Sequence, residues 1–413
     1  MMATERSYDV VVWGATGFTG RLVMEYMYGT YGAEGDVSWA VGARNADKLA
    51  AVKKQVLGDD SDKVPDVIAD SNDEESLKAL VTSTRSICTT VGPYAKYGTK
   101  LVEACAALGT HYCDLTGEVQ WMYQMIEQFH TMAEQSGARI VFTCGFDSIP
   151  SDMGVFYIQS QMQALHGSYA PRVKYRVAKS DGGVSGGTVD SLINMMEEAR
   201  HDPKILDIIA DPYALNPPNM PRGDDGPDQT TTEYDEDFRQ WTAPFVMAGI
   251  NTRVVRRSHS LLGYPWGEHF RYDEAMLIGD GPRGFARASM VAGGIGLIMK
   301  ASEFTPTRNL LGRLAPSPGE GPSRETIERG FFEIELFAAH AEDPDKNLVA
   351  MVTGDKDPGY GATSKMLAES AVCLAKDELD TPAGLLTPAV AMGDKLIHRL
   401  TERAGMTFSL KDL

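Results

Sequence analysis

Three glycines, Gly14, Gly17 and Gly20, stand three residues apart directly behind the apolar run Val10-Val-Val-Trp13. Residues without side chains at that spacing suit a phosphate. Gly14 tolerates the positive φ of a tight strand-to-helix reversal, and Gly17 lets a diphosphate reach the amides that open a helix. Gly20 allows that helix to lie close on the strand. The turn Gly14, Ala15, Thr16, Gly17, Phe18, Thr19 and Gly20 is therefore a candidate diphosphate cradle. Its GxxGxxG spacing is looser than GxGxxG and is informative because a buried strand precedes it and strand–helix alternation follows. A bare tight turn is the alternative.

The second strand pattern ends in Ala43-Arg44-Asn45-Ala-Asp-Lys48. A site for NAD places an acid here to accept the ribose hydroxyls. Arg44 occupies that position and Lys48 follows one helical turn later, so the 2′-phosphate of NADP is the expected partner. Ala43 and Asn45 complete this contact; Arg44 as a plain surface charge is the alternative. Asp70, closing the third strand, either faces adenine or caps the next helix.

Beyond the fourth strand, Thr90, Val91, Gly92 and Pro93 are expected beside the nicotinamide, because ligands of such sheets lie past the carboxyl ends of the strands. Tyr94 and Tyr97 follow, each either a proton or hydrogen-bond donor or a rim aromatic. Asp147 and Ser148, behind the sixth strand, either face the same cleft or shape a turn, and Asp152 starts the next helix. Asp114 and Glu118 cap the helix at Val119 or line the cleft. No histidine or cysteine falls in a metal-ligand spacing, so no metal is expected.

These side chains need a scaffold. Strand patterns at 8–13, 37–43, 67–70, 86–91, 112–115 and 139–144 alternate with helical ones at 17–28, 46–56, 74–81, 98–107 and 119–136. That is the signature of a doubly wound parallel α/β sheet. At 413 residues the chain exceeds one ordinary core. An α+β second domain is expected from an alternating strand at 172–180, a helix at 188–200, and antiparallel strands at 331–340 and 347–354. Residues 202–237 read as loop with a little helix. Residues 287–313 read as a mobile linker behind an apolar cover, able to act as a lid, or as an ordinary packed helix. Residues 362–376 and 386–400 are helical. The expected division is 1–150, 151–357 and 358–413.

A net charge of −18 opposes binding to nucleic acid or an anionic membrane. Five cysteines without a CxxC pair suit a reducing compartment, and no basic-then-apolar leader opens the chain; a cytoplasmic location is expected. No apolar run is long enough to span a bilayer.

The opening GATGFTG also occurs in extended short-chain dehydrogenases, which use Tyr-x-x-x-Lys on one helix, within ~6 Å. The one such spacing here, Tyr175 to Lys179, falls in a strand pattern, where it spans about 13 Å. That chemistry is excluded. With Gly42-Ala-Arg44, Val91-Gly-Pro-Tyr94, Asp114-Leu-Thr-Gly-Glu118, Cys144-Gly-Phe-Asp-Ser-Ile-Pro-Ser-Asp152 and Ser185-Gly-Gly-Thr188, the chain instead resembles saccharopine dehydrogenase-like oxidoreductases. Leu262-Gly-Tyr-Pro265 and 386–394 extend the resemblance, which is strongest to the trans-acting enoyl reductases.

The resemblance implies a discontinuous Rossmann domain with an inserted α+β domain, NADP(H) in the cleft, and reduction of a lipid or thioester-bound acyl chain. Tyr94, Tyr97 and Asp147 are then the candidate catalytic residues. The expected partners are a small-molecule or acyl-thioester substrate, a peripheral lipid contact and a second copy of the chain. Two alternatives stand: an imine or opine-type reductase, with Arg253, Arg256 and Arg257 holding substrate carboxylates, and an NADP-binding scaffold without catalysis.

Overall fold

The computed structural model describes residues 6–182, 198, 202–303 and 321–411. The helix expected at 188–200, the Ser185–Thr188 motif and residues 304–320 of the expected linker lie outside the described residues, apart from residue 198.

Among the described residues, the first sheet has seven parallel strands. They are β1 (Tyr8–Trp13), β2 (Trp39–Ala43), β3 (Asp66–Ile68), β4 (Thr84–Thr89), β5 (His111–Cys113), β6 (Arg139–Val141) and β13 (Gly384–Leu386), in the order β13-β6-β5-β4-β1-β2-β3. The chain leaves β1 toward β2 on one side and later returns to β4 on the other. This reversal opens a crevice at the carboxyl ends of β1 and β4.

The physical basis is legible in β1. Val10 and Val12 enter one buried core, whereas Val11 and Trp13 enter another on the opposite face. A strand covered on both faces must be continuously apolar rather than alternating. Each fully buried valine contributes about 1.5–3 kcal/mol. The covers are α1 (Phe18–Tyr31), α2 (Ala46–Leu57), α3 (Glu74–Ser83), α5 (Thr99–Leu108), α6 (Val119–Ser136) and α12 (Thr363–Lys376), with the short α4 (Tyr94–Tyr97) leading into α5.

The second sheet is mixed. It contains β7 (Arg172–Asp181), β8 (Glu233–Asp235), β9 (Gln240–Pro244), β10 (Arg271–Gly279), β11 (Phe331–Ala339), β12 (Leu348–Gly354) and β14 (Met406–Lys411), in the order β14-β12-β11-β7-β10-β9-β8. Only β7 and β10 pair in parallel. Along β7, Val173, Tyr175 and Val177 enter the core. Arg172, Lys174 and Arg176 alternate with them and pair with Asp235, Asp237 and Asp273. The buried core around Val10 and Val12 continues without a break into β7, β11 and β12. The helices α7 (Ile149–His166) and α13 (Pro388–Arg403) supply residues to it, and α9 (Ala248–Leu261) packs against α7.

Three sequence expectations change. Leu386 ends strand β13, and the last long helix begins at Pro388, because proline suits the first helical position. Of the two readings of 287–313, the packed helix holds over 287–303 and the linker does not: α10 (Gly281–Glu303) packs on β9 and β10. The 202–237 segment holds the helix α8 (Lys204–Ala210) and also β8. A short helix, α11 (Arg324–Arg329), precedes β11. Among the described residues no helix is long and apolar enough to cross a membrane, and all five cysteines are buried and free.

Candidate functional site

The site is built from the loops that leave β1, β2, β4, β5 and β6. Gly14 adopts φ +91°, and a Cβ there would stand 2.7 Å from Val91 Cγ2 and 2.8 Å from Thr90 Oγ1. The loop after β4 thus presses directly on the first turn, with Thr90 Oγ1 donating to the Gly14 carbonyl at 3.3 Å. A Cβ on Gly20 would lie 2.2 Å from that same carbonyl oxygen. Gly17 differs: its φ is −77°, and the nearest obstacle to a Cβ, the Gly14 oxygen, is 3.3 Å away. Gly14 and Gly20 are required by the fold, whereas Gly17 keeps an exposed approach open.

Helix α1 starts at that opening. Its cap, Gly17, provides no side-chain hydrogen bond, and the first turn carries no acid. By contrast, Asn45 caps α2 through the Lys48 amide and Asp73 caps α3 through the Glu75 amide. The first-turn amides of α1, around Phe18, Thr19 and Gly20, are therefore left to an external acceptor, and the helix dipole favours an anion there. The residues fit a dinucleotide diphosphate. Ala15 is buried and Thr16 half-buried. The Phe18 ring turns away to meet Tyr360 edge-on at 4.8 Å, so Phe18 offers its amide and not its side chain.

At the end of β2, Ala43 is buried while Arg44 and Lys48 are exposed, and neither basic side chain enters an ion pair among the described residues. Both are available for the extra phosphate of NADP. The side chain of Asp70 accepts from the Asn72 amide at 2.9 Å, forming a local turn; the cap of α3 is Asp73. Arg21, one residue beyond the glycine turn, has a buried Nε without a hydrogen-bond partner. It was not singled out in the sequence, although a cation so close to an anion-binding helix end is a usable signal.

Tyr94 is corrected. It is buried, its ring stacks on Trp121 at 5.7 Å, and its hydroxyl donates to the Thr89 carbonyl at 3.3 Å while accepting from the Leu115 amide at 3.4 Å. Burial pushes its pKa well above the usual phenol value. It braces the β4 loop and has no free hydroxyl for a substrate. Tyr97 stands on the rim, 42% exposed. Gly92 is exposed, and Val91 and Pro93 are half-buried.

Glu118 and Asp114 also take structural places. Glu118 accepts from the Tyr94 and Ala95 amides, each at 2.9 Å, so it caps α4 rather than α6. Asp114 accepts from the Thr116 and Thr143 amides, each at 3.1 Å, and from Tyr112, joining the β5 and β6 loops. Burial raises its pKa to about 7. Asp152 ties α7 to two other helices, accepting from Ser258 and from the Ala389 amide.

Asp147 lies in the loop after β6, a strand two spacings, or about 10 Å, from β4. Its Oδ1 is buried and makes no hydrogen bond, and burial alone raises its pKa to about 7. The preceding Phe146 meets Phe332 at 5.1 Å and Phe245 at 6.5 Å. Such surroundings keep a carboxylic acid protonated near neutral pH, ready to donate. Ser148 next to it is buried, with an unpartnered Oγ.

The basic residues of α9 do not reach the cleft. Arg253 pairs with Asp228, and Arg256 pairs with Asp225 at 2.8 Å. Arg257 donates to the Leu215 and Leu385 carbonyls. All three are at least 96% buried, so their expected availability to substrate carboxylates is withdrawn. Tyr175 and Lys179 lie on strand β7, and Lys179 pairs with Glu333 at 2.8 Å. Sequence reasoning passed over Ser151 and Glu274 and weighed Tyr175 only with Lys179; all three are buried, on α7, β10 and β7 respectively.

Comparison with known proteins agrees with this geometry. Residues 10–141 match the saccharopine dehydrogenase NADP binding domain. A trans-acting enoyl reductase of Mycobacterium ulcerans (strain Agy99) is 36% identical over 420 residues, covering 97% of both chains. One from Mycobacterium bovis (strain BCG / Pasteur 1173P2) is 35% identical over 419 residues, again covering 97% of both. The fold is similar to that of saccharopine dehydrogenase (L-Glu forming) from Saccharomyces cerevisiae, with a TM-score of 0.52 at 12% identity over 98% of this chain and 99% of that one. The chain thus belongs to the saccharopine dehydrogenase-like family of NADP-dependent oxidoreductases, among its trans-acting enoyl reductases.

Proposed function

We propose that this protein reduces the carbon–carbon double bond of a thioester-bound acyl chain. The observation that carries this reading is Asp147, whose buried Oδ1 makes no hydrogen bond and whose pKa burial raises to about 7, next to Phe146 and with the α9 arginines already taken. Bound NADPH supplies the hydride that the β-carbon receives. The first-turn amides of α1 hold the diphosphate, and Arg44 and Lys48 hold the 2′-phosphate. Thr90, Val91, Gly92 and Pro93 border the nicotinamide half. Tyr97 donates a hydrogen bond to the thioester oxygen, and Asp147 gives its proton to the α-carbon. The designation of the mycobacterial relatives supports the same reaction. The division at 1–150, 151–357 and 358–413 is kept as a working description, with β13 and β14 joining different sheets from the last segment.

An amino-acid imine substrate carrying carboxylates needs cations in the pocket, and the three arginines of α9 do not supply them. The decisive experiment incubates the full-length protein with NADPH and the crotonyl thioester of N-acetylcysteamine or a longer 2-enoyl homologue. The saturated thioester should form with one NADPH consumed, and Asp147→Asn should lower kcat by roughly 100-fold with NADPH affinity retained. Reduction of imines but of no enoyl thioester would sink the reading. NADPH binding without any turnover would favour the scaffold.

A further inference from the structure

Helix α10 turns apolar side chains toward solvent. It packs on β9 and β10, and its least exposed positions repeat at Gly284, Ala288, Val291 and Ile295, the first two buried and the others half-buried. The opposite face repeats at Arg283, Ala286, Met290, Gly293, Leu297 and Lys300, all exposed. Both spacings follow from 3.6 residues per turn. A helix between a core and water normally carries polar side chains on its outer face. Here Met290 is 75% exposed, Leu297 72% and Ile298 52%. No other helix or strand among the described residues exposes more than one large apolar side chain.

The charges on this helix have one sign. Between Asp280 and Glu303 the chain holds Arg283, Arg287 and Lys300 and no acid, against −18 for the whole protein. All three cations are exposed, and none enters an ion pair among the described residues. Beside the first turns runs a row of rings: Tyr234 meets Trp241 at 5.2 Å, and Trp241 meets Phe285 at 4.8 Å. Tyr234 and Phe285 are exposed and Trp241 is half-buried. Cations at both ends of an apolar stripe, flanked by rings with a polar tip, match a layer that is anionic outside and apolar beneath. A second copy of the chain matches less well. Two α10 helices lying face to face, in either direction, bring Arg283 and Arg287 against arginine or Lys300. Gly293, Gly294 and Gly296 also interrupt the stripe and leave few ridges to fit a protein partner.

We propose that α10 docks the protein on the surface of an anionic phospholipid bilayer. Met290, Leu297 and Ile298 enter below the headgroups, and Arg283, Arg287 and Lys300 meet the phosphates. The long stems of arginine and lysine let the charged heads stay at phosphate level while the stems cover apolar surface. The helix is not apolar enough to cross a bilayer, so it lies in the plane of one. The negative charge of the whole chain confines the contact to this patch, because the rest of the surface is repelled by the same lipids. No residue of the cleft takes part, so the contact does not depend on which bond is reduced.

The test sediments the full-length protein with vesicles of phosphatidylcholine, alone or with about one third phosphatidylglycerol. Wild type should bind the mixed vesicles about tenfold more tightly than the neutral ones and lose that advantage in high salt. Met290→Asp combined with Leu297→Asp should weaken binding to both vesicles about tenfold. Arg283→Glu combined with Arg287→Glu should erase the preference for phosphatidylglycerol. Both paired variants should keep wild-type NADPH affinity and melting temperature. A second readout locates the contact. Trp241 is the one tryptophan of five that is not buried, so phosphatidylcholine brominated in its acyl chains should quench its fluorescence, and Trp241→Phe should abolish the quenching. Failure of wild type to bind mixed vesicles, or undiminished binding by both paired variants, would overturn the proposal. Vesicle binding without quenching of Trp241 would put the contact elsewhere and overturn it too. A wild-type dimer that Leu297→Asp dissociates would give the face to a second copy, with the same result.

Discussion

At the α1 end of the cleft the groups without internal partners are main-chain amides; at the Asp147 end they are side-chain oxygens. The amides come from one turn of consecutive residues, and the exposed Gly17 beside them carries no side chain to block their approach. The oxygens come from the β6 loop, α7 and β7, where Phe146 meets Phe332, Tyr175 stacks on Phe245 and α7 packs on β11 and β12. An open cradle suits an anion that arrives with its own charge. A closed cluster suits a proton, which needs no entry path wider than a hydrogen bond. The difference shows how one cleft meets two demands with unpaired polarity of opposite accessibility.

The comparison can be broken most sharply at the glycines. Gly17→Val should abolish measurable NADPH binding by calorimetry while leaving circular dichroism and melting temperature near wild type, because its backbone is already extended. Retained affinity would move the diphosphate elsewhere. Gly20→Ala, whose Cβ would lie 2.2 Å from the Gly14 carbonyl oxygen, should lose roughly 1–3 kcal/mol of stability in denaturant titration. A stable Gly20→Ala would show that the turn yields to a methyl group without cost.

A smaller effect sharpens the cofactor choice. Arg44→Asp should weaken NADPH binding by about 10–100-fold, the loss of one or two charge-assisted phosphate contacts, and leave NADH binding nearly unchanged. Equal losses for both coenzymes would assign Arg44 to the surface.

The smallest effect concerns pH at the closed end. The folded pKa of Asp147 is raised to about 7, above the unfolded carboxylate value. The stabilising contribution is therefore complete below about pH 4 and is lost as pH rises toward and through about 7. Asp147→Asn should lessen the decline of melting temperature over that window. Over the same range wild-type kcat should fall above about pH 7, as the donor ionises; a kcat rising with pH would exclude an acid there.

Much of the first sheet was legible because a parallel strand covered on both sides must be continuously apolar and its helices must be amphipathic. The phosphate turn was legible for a related reason: its function is carried by the backbone, and glycine spacing records backbone needs directly. Strand β13 was not, since three residues near position 385 gain meaning only by pairing with β6. Tyr94 misled because sequence places it at the correct strand end without saying which way its ring turns; Trp121, on α6, draws it inward. The α9 arginines misled similarly, for their partners Asp225 and Asp228 lie in a segment that reads as loop.

Periodicity and glycine spacing by themselves determined the parallel sheet and the glycine turn at the head of α1, and they singled out Arg44 and Lys48 as the proposed 2′-phosphate contacts, because each depends on neighbours within a few residues. Which acid is left without partners was decided only in three dimensions. Burial raises the pKa of both Asp147 and Asp114 to about 7, yet Asp114 receives two amides and a tyrosine hydroxyl, whereas Asp147 Oδ1 receives nothing.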